Sequence, residues 1–498
     1  MAAAHGYNGQ RCQWFGPYSL AHVGGMRASR VPNRWRRRAV RVLALVVVFA
    51  VLATVAVASR WAWQDGRLNT TICGGDCGPT NVIAPEGLRV AGRGSAETSV
   101  APQVSPIDPD AVVAAVKVLL TDSVLGPHVG FAAVAPAPGG QVSITDRGDG
   151  TVFTPASTTK LLTGLAALSA IDPQTRFLTT VVDTGDQIVL VGGGDPYLIG
   201  TRDKNSASVE RGELAELAER TAAALSDAGR TSVTLGFDDT LFTGPAISKG
   251  WEDTYVPGNI VTPVNALWVD QGVVDGTRAR DPAQSAATQF AELLDAAGID
   301  VTGDIKRASA PDAADVVATV SSATIEQIVQ AVIRTSDNQA AEVLLRQVGL
   351  ASDRPGSFDG GIEATIATLQ SKGIDTAGLT LFDGSGLSRR NLISPSTLVD
   401  VVREALATPR GAALVDDLPI SGFTGTLANR FDATTRGLVR AKTGTLTGIH
   451  SLAGYALDAD GRPVVFAVMA DDTSTTDPFK VQDTLDDIAA AIATCSCG

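Results

Sequence analysis

The chain has 498 residues, 44% hydrophobic and only 19% charged, which excludes an intrinsically disordered protein and gives room for two or three folded units. Its formal net charge is −13, although residues 1–58 hold eight arginines and no acidic residue. The acidic body that remains repels phosphate and excludes nucleic acid as a partner.

Residues 1–41 read as a basic cytoplasmic tail, with Arg27, Arg30, Arg34, Arg36, Arg37, Arg38 and Arg41 ahead of an apolar run over 42–58. As a helix that run spans about 25 Å, the short end of what crosses a bilayer. Basic residues stay on the cytoplasmic side, so the body of the chain is expected outside the cell membrane. Two readings stay open. Trp61 and Trp63 suit an uncleaved single-pass anchor, and Ala56-Val57-Ala58 suits a signal cleavage site followed by secretion. Translation from Met1 or from Met26 also stays open.

Residues 59–107 form an extracytoplasmic linker rich in Gly, Pro, Ser and Thr. It carries Cys73 and Cys77, while Cys495 and Cys497 stand at the far end of the chain. An exported protein favours disulfides over a four-cysteine zinc site. Bridging residues two apart is strained, so cross-pairing of linker and C-terminus is expected.

The folded body starts at Asp108-Pro109, a cap with proline at the first helical position. Strands are predicted near 129–135 and 141–145, then a helix that includes Ser157 and carries Leu161, Leu162, Leu165 and Leu168 on one stripe. Strands at 176–183 and 187–191 lead into Gly192-Gly193-Gly194-Asp195-Pro196, read as a tight turn because no phosphate-loop residues follow. Helices over 210–228 and 283–297 and a strand at 232–237 belong to inserted α/β modules over 184–315. These interrupt a catalytic domain made of 108–183 and 316–498. In its second part come a helix over 325–335, a junction at Ser336-Asp337-Asn338, and a helix over 339–348. Next are a helix over 395–407, strands at 438–442, 450–457 and 463–470, and a last helix over 481–494.

Three short motifs carry the chemistry: Ser157-Thr158-Thr159-Lys160, Ser336-Asp337-Asn338 and Lys442-Thr443-Gly444-Thr445. On a helix Ser157 and Lys160 share a face. Amide cleavage needs a nucleophile, a base, a proton for the leaving amine and donors for the oxyanion. Ser157 is the expected nucleophile. Lys160 is the expected base, neutralised by burial and by Lys442. Ser336 relays a proton, and Asn338 holds substrate and contacts Lys160. Lys442 and Gly444 should face the same way on a strand at a sheet edge, the glycine leaving space for substrate. Thr443 and Thr445 should bind a terminal carboxylate, and the backbone N–H groups of Ser157 and Thr445 form the expected oxyanion pair. His450 reads as a strand residue without a catalytic role. No histidine–carboxylate cluster has metal-ligand spacing, so neither metal nor cofactor is expected.

Together these motifs resemble the class C low-molecular-mass penicillin-binding proteins, the D-alanyl-D-alanine carboxypeptidase/endopeptidase family. Gly192–Pro196, Trp251 with Tyr255, Asp383–Ser388, Ser394-Pro395, Leu418–Gly422 and Gly425-Thr426-Leu427 add to the likeness, which covers about 110–495. The resemblance implies an α+β transpeptidase fold, β-lactamase-like, with an antiparallel sheet flanked by helices and a helical subdomain. It implies removal of the terminal D-Ala from peptidoglycan stem peptides, or cleavage of their D-Ala–diaminopimelate cross-links, and acylation of Ser157 by β-lactams. A β-lactamase or esterase on the same scaffold, or a catalytically silent cell-wall-binding module, are the alternatives.

Overall fold

A computed structural model of the chain describes residues 107–137, 140–147, 151–201 and 211–498. The basic tail, the apolar run 42–58, Cys73 and Cys77 lie outside the described residues. Among the described residues no helix is long and apolar enough to cross a membrane.

Helix α1 (Pro109–Lys117) is capped by Asp108, whose carboxylate accepts the N–H of Asp110. Strands β1 (Val129–Ala137) and β2 (Gly140–Arg147) follow, then α2 (Thr159–Ala170). Next come β3 (Arg176–Asp183), β4 (Ile188–Val191), α3 (Leu214–Asp227), β5 (Leu235–Asp238), α4 (Pro282–Ala296), β6 (Lys306–Arg307) and β7 (Asp315–Thr324). Four helices succeed them: α5 (Ile325–Thr335), α6 (Asn338–Ala351), α7 (Phe358–Ser371) and α8 (Pro395–Ala407). The chain closes with β8 (Val439–Leu446), β9 (Ile449–Leu457), β10 (Pro463–Ala470) and α9 (Pro478–Ala493).

The main sheet has the order β8-β9-β10-β1-β2 and is antiparallel throughout. Alternate residues go to opposite faces. Phe131, Leu452, Phe466 and Val468 pack against α1 and α9, while Val134, Ala453, Val465, Ala467 and Met469 pack against the helical cluster. Burial on both faces is why Val464–Ala470 reads as an unbroken apolar run. Helix α2 lies at the centre of that cluster and is buried from Thr159 to Leu168. At Gly164 it is approached closely by the short helix Ala412–Asp416 and by α5: an added Cβ would lie 2.6 Å from Leu414 and 3.3 Å from Val329. This is a mixed α+β fold.

A second sheet, ordered β6-β5-β4-β3-β7, is covered by α3 and α4 around Leu217, Phe237, Phe290 and Leu294. It takes in Arg176–Asp183 and Asp315–Thr324, so it reaches beyond the expected 184–315 at both ends. The physical reason is strand pairing. The strand that leaves α2 and the strand that returns to α5 lie side by side and antiparallel, and neither pairs with the main sheet. The return is sharply defined, with Thr324 and Gln327 forming a reciprocal capping box at the start of α5.

Helix α7 lies where the sequence pattern names no element, and its Gly360-Gly361 pair has low helix propensity. Both glycines are needed by close packing: a Cβ at Gly361 would lie 2.2 Å from the Leu345 carbonyl oxygen, and one at Gly360 2.2 Å from that of Pro355. Cys495 and Cys497 are bridged to each other, not cross-paired with the linker. The chain folds back after α9, where the Asp108 N–H donates to the Cys497 carbonyl at 2.5 Å, and this brings the two Cα atoms to 5.1 Å. Cys497 is buried in the α1–α9 core.

Leu398 on α8 is fully buried between the main sheet and the helical cluster. Leu398→Ala is therefore expected to lower stability by about 2–5 kcal/mol, the range for a truncated core leucine. Urea denaturation reads this directly, and an unchanged midpoint would contradict the packing described.

Candidate active site

Ser157 lies in a single 3-10 turn, Ala156–Thr158, just ahead of α2 and not within the α-helix. The reason is local. Ala156 is held at φ 49°, a left-handed conformation that redirects the chain before the helix begins. The turn is tied down around it. Ser451 on β9 donates to the Pro155 carbonyl at 2.6 Å, and the Thr158 and Thr159 hydroxyls donate to the carbonyls of Pro155 and Ala156. Asp471, at the end of β10, accepts the Thr154 N–H at 2.8 Å. The Ser157 side chain remains half-buried, open on one side.

Lys160, one turn further on, is fully buried. Its Nζ lies 2.8 Å from Ser157 Oγ, 2.7 Å from Asn338 Oδ1 and 2.7 Å from the Ser385 carbonyl oxygen. Burial lowers its pKa to about 8, against the pull of Glu342, Asp383 and Asp337, which raise it. Lys442 is pushed well below its ordinary value by burial first, then by the repulsion it shares with Lys160, and then by Arg430.

Ser336, Asp337 and Asn338 form the corner between α5 and α6. Ser336 sits at φ 61°, ψ 37°, again left-handed, which turns its hydroxyl toward the sheet. Lys442 Nζ donates to that hydroxyl at 2.9 Å and to the Thr443 carbonyl at 2.8 Å. Asp337 caps α6 by accepting the Ala340 N–H, and its other oxygen accepts from Gln271 at 2.7 Å. Asn338 opens α6 and faces Lys160.

The third wall is β8, the edge strand of the main sheet. It runs on through Gly444 to Leu446. Thr443 is buried and donates to Thr426 Oγ1 at 3.0 Å, whereas Thr445 is exposed. Gly444 faces the nucleophile's turn and not an open substrate channel: an added Cβ would lie 2.5 Å from the Pro155 carbonyl oxygen and 3.1 Å from the Ser157 nitrogen. His450 pairs with Thr445 on β9, with Nδ1 2.9 Å from Thr473 Oγ1. Burial, and then Arg430, lower it to about 4, so it is neutral at pH 7.

Several residues of the site were not singled out as such from the sequence. Glu342, fully buried on α6, accepts the N–H groups of Gly384 and Ser385. Asp383 anchors the same loop, accepting from Trp251 Nε1 at 2.8 Å, Asn391 Nδ2 at 2.6 Å and the N–H groups of Gly386 and Ser388. Asp383 thus ties together two of the stretches that carry the resemblance, Trp251 and Asp383–Ser388. Thr426 belongs to a loop that also meets α5, since a Cβ at Gly425 would lie 2.6 Å from the Arg334 carbonyl oxygen. Asp383 and Thr426 lie in stretches that carry the family resemblance, whereas Glu342 has only its spacing of one helical turn from Asn338 to mark it.

The contact at Gly444 has a direct consequence. Gly444→Ala is expected to displace the Ser157 turn, lowering stability by about 1–3 kcal/mol and suppressing labelling by a fluorescent penicillin. Parental labelling by this variant would mean that the turn and the strand are not in contact.

Known proteins resemble this chain in sequence and in fold. The pattern of the D-Ala-D-Ala carboxypeptidase 3 (S13) family matches residues 112–279 and 275–492. A carboxypeptidase of Mycobacterium tuberculosis is 34% identical over 94% of this chain and 99% of its own length. The carboxypeptidase DacB of Mycolicibacterium smegmatis is 30% identical, again over 94% and 99%. The crystal structure of penicillin binding protein 4 from Haemophilus influenzae superposes with a TM-score of 0.63 over 76% of this chain and 97% of that one, at 23% identity. That last likeness is one of fold, and the sequence matches decide the relationship: the chain belongs to the D-Ala-D-Ala carboxypeptidase 3 (S13) family.

Proposed function

We propose that this D-Ala-D-Ala carboxypeptidase works by acyl transfer through Ser157. Ser157 Oγ attacks the carbonyl carbon of the penultimate D-Ala of a peptidoglycan stem peptide, and its proton passes to Lys160. The oxyanion is held by the N–H groups of Ser157 and Thr445. Ser336, in contact with Lys442, passes a proton to the departing D-Ala amine. Water then hydrolyses the acyl-enzyme. Asn338 binds the substrate backbone, and the hydroxyls of Thr443 and Thr445 receive the terminal carboxylate, beside the glycine at 444. A β-lactam acylates the same serine through its strained amide.

One observation carries this reading: the Lys160 amine lies 2.8 Å from Ser157 Oγ with two carbonyl oxygens at 2.7 Å. Neutral, an amine has two N–H donors and one lone pair. The two carbonyls accept both donors, and the lone pair is left for the Ser157 hydroxyl. Burial supplies the neutral form at a pH a lysine does not otherwise permit.

The reading extends to location. The apolar run 42–58 anchors the chain in the cell membrane with the catalytic body outside, next to its peptidoglycan substrate, and the chain divides at 107 between linker and catalytic domain. The second sheet and its helices form an inserted α/β module. The same chemistry cuts a D-Ala–diaminopimelate cross-link, and mass spectrometry of digested sacculi separates lost D-Ala from severed cross-bridges.

Two outcomes test the mechanism. Ser157→Ala is expected to lose both the covalent penicillin adduct and D-Ala release, and a variant that still trims pentapeptide would refute it. In the parent enzyme, acylation is expected to rise with pH to a plateau, with a midpoint near the about 8 of Lys160, because the protonated amine cannot accept the serine proton. A rate independent of pH across that value would remove Lys160 from the role of base.

A further inference from the structure

We propose that Glu342 is a positioning residue that aims the Ser385 carbonyl at Lys160 and so turns the Lys160 lone pair toward Ser157. The inference rests on Lys160 being the base.

Glu342 stands one helical turn beyond Asn338, so the two share a face of α6. Burying a carboxylate is costly unless donors surround it, and an apolar side chain would fill the same space without that cost. Here both oxygens are used: Oε2 accepts the Gly384 N–H at 2.9 Å and Oε1 the Ser385 N–H at 3.0 Å. Fixing the N–H of Ser385 fixes that residue, and its carbonyl meets Lys160 Nζ at 2.7 Å. Thr163 on α2 holds the same loop from the other side, donating to the Gly384 carbonyl at 2.7 Å. The loop also rests on the nucleophile's turn at Gly386, whose φ is 85° and where a Cβ would lie 1.8 Å from the Ala156 carbonyl oxygen. One face of α6 therefore supplies both acceptors of the Lys160 amine, Asn338 directly and Ser385 through Glu342.

The consequence is directional. With both carbonyls in place, neutral Lys160 has no N–H to spare, and only its lone pair can face Ser157. If the Ser385 carbonyl swings away, one N–H is released to donate to Ser157 Oγ, and the amine then competes with its own role. Charge adds a second signature. The charged groups around Glu342 are Lys160 on α2, Asp383 on its own loop and Arg346 on α6; Asp337, at the start of α6, acts with Glu342 and Asp383 on Lys160. Burial, and then Asp383, push the Glu342 carboxyl up to about 8, so its charge is only partly present at the limb; that charge raises the pKa of Lys160, and removing it lets that pKa fall.

The experiment is the second-order rate of acylation by a fluorescent penicillin, followed against pH in parent, Glu342→Gln and Thr163→Val proteins whose folding is checked by thermal denaturation. In Glu342→Gln the plateau is expected to fall roughly a hundredfold, the cost of misplacing a reacting group by about 1 Å. Its acidic limb moves to lower pH. In Thr163→Val the plateau falls less and the limb stays, because the loop loosens while the charge remains. Glu342→Gln that acylates with the parent's plateau and limb, or loses only thermal stability, overturns the proposal. If Glu342→Gln does not fold, Thr163→Val decides, and a parental plateau there overturns it. A Lys160→Met variant run alongside distinguishes the two levels: parental acylation by it refutes Lys160 as base, whatever Glu342 does.

Discussion

A lysine amine removed from water is the constraint around which this structure is organised. Lys160 is fully buried, and such a group persists only where fixed acceptors surround it. Its three hydrogen-bond partners come from residues 157, 338 and 385, segments that nothing in the local sequence would bring together. Helix α2 supplies the amine, the turn ahead of it the serine, α6 the amide oxygen, and the loop after α7 a backbone carbonyl. The main sheet completes the cleft by bringing a second buried amine, Lys442, against Ser336. Two adjacent buried amines resist being protonated together, so the arrangement that assembles the site also sets its protonation.

Two left-handed backbone positions bracket the same place. Ala156 and Ser336 are both non-glycine residues in the left-handed region, next to or at a reacting hydroxyl, and Gly386 and Gly425 take positive φ in the loops that touch them. Conformations of this kind persist when the surroundings over-determine them. Here the surroundings are identifiable: Ser451 and Asp471 hold the Ser157 turn, Gln271 and the α6 N–H groups hold Asp337, and Asp383 holds the 383–388 loop. Gln271 and Trp251 both come from the segment between β5 and α4, so a connection of the second sheet reaches the catalytic cleft.

Much of this was readable from sequence because the reacting groups occur in short polar clusters within apolar surroundings. Ser157, Lys160, Ser336, Asn338 and Lys442 are each one to three residues from another member of their motif, and helix or strand spacing places such neighbours on one face. What was not readable depends on tertiary approach. Glu342 looks like any acid on a helix until a loop 42 residues later brings two N–H groups to it. Gly444 suggested room for a substrate, but the space holds the Pro155 carbonyl. The strands 176–183 and 315–324 carry no label saying which sheet they join, and only their mutual pairing assigns them. Steric strain between cysteines two apart argued against their joining, yet the fold-back after α9 brings them together.

The account depends on Lys160 being a base because it is buried. Titration of that one lysine by NMR, with its side-chain carbon labelled and assigned by comparison with a Lys160→Met protein, tests this without reference to turnover. The account predicts a midpoint near the about 8 set by burial, far below an ordinary lysine. A midpoint at the ordinary value of 10.5 would contradict it.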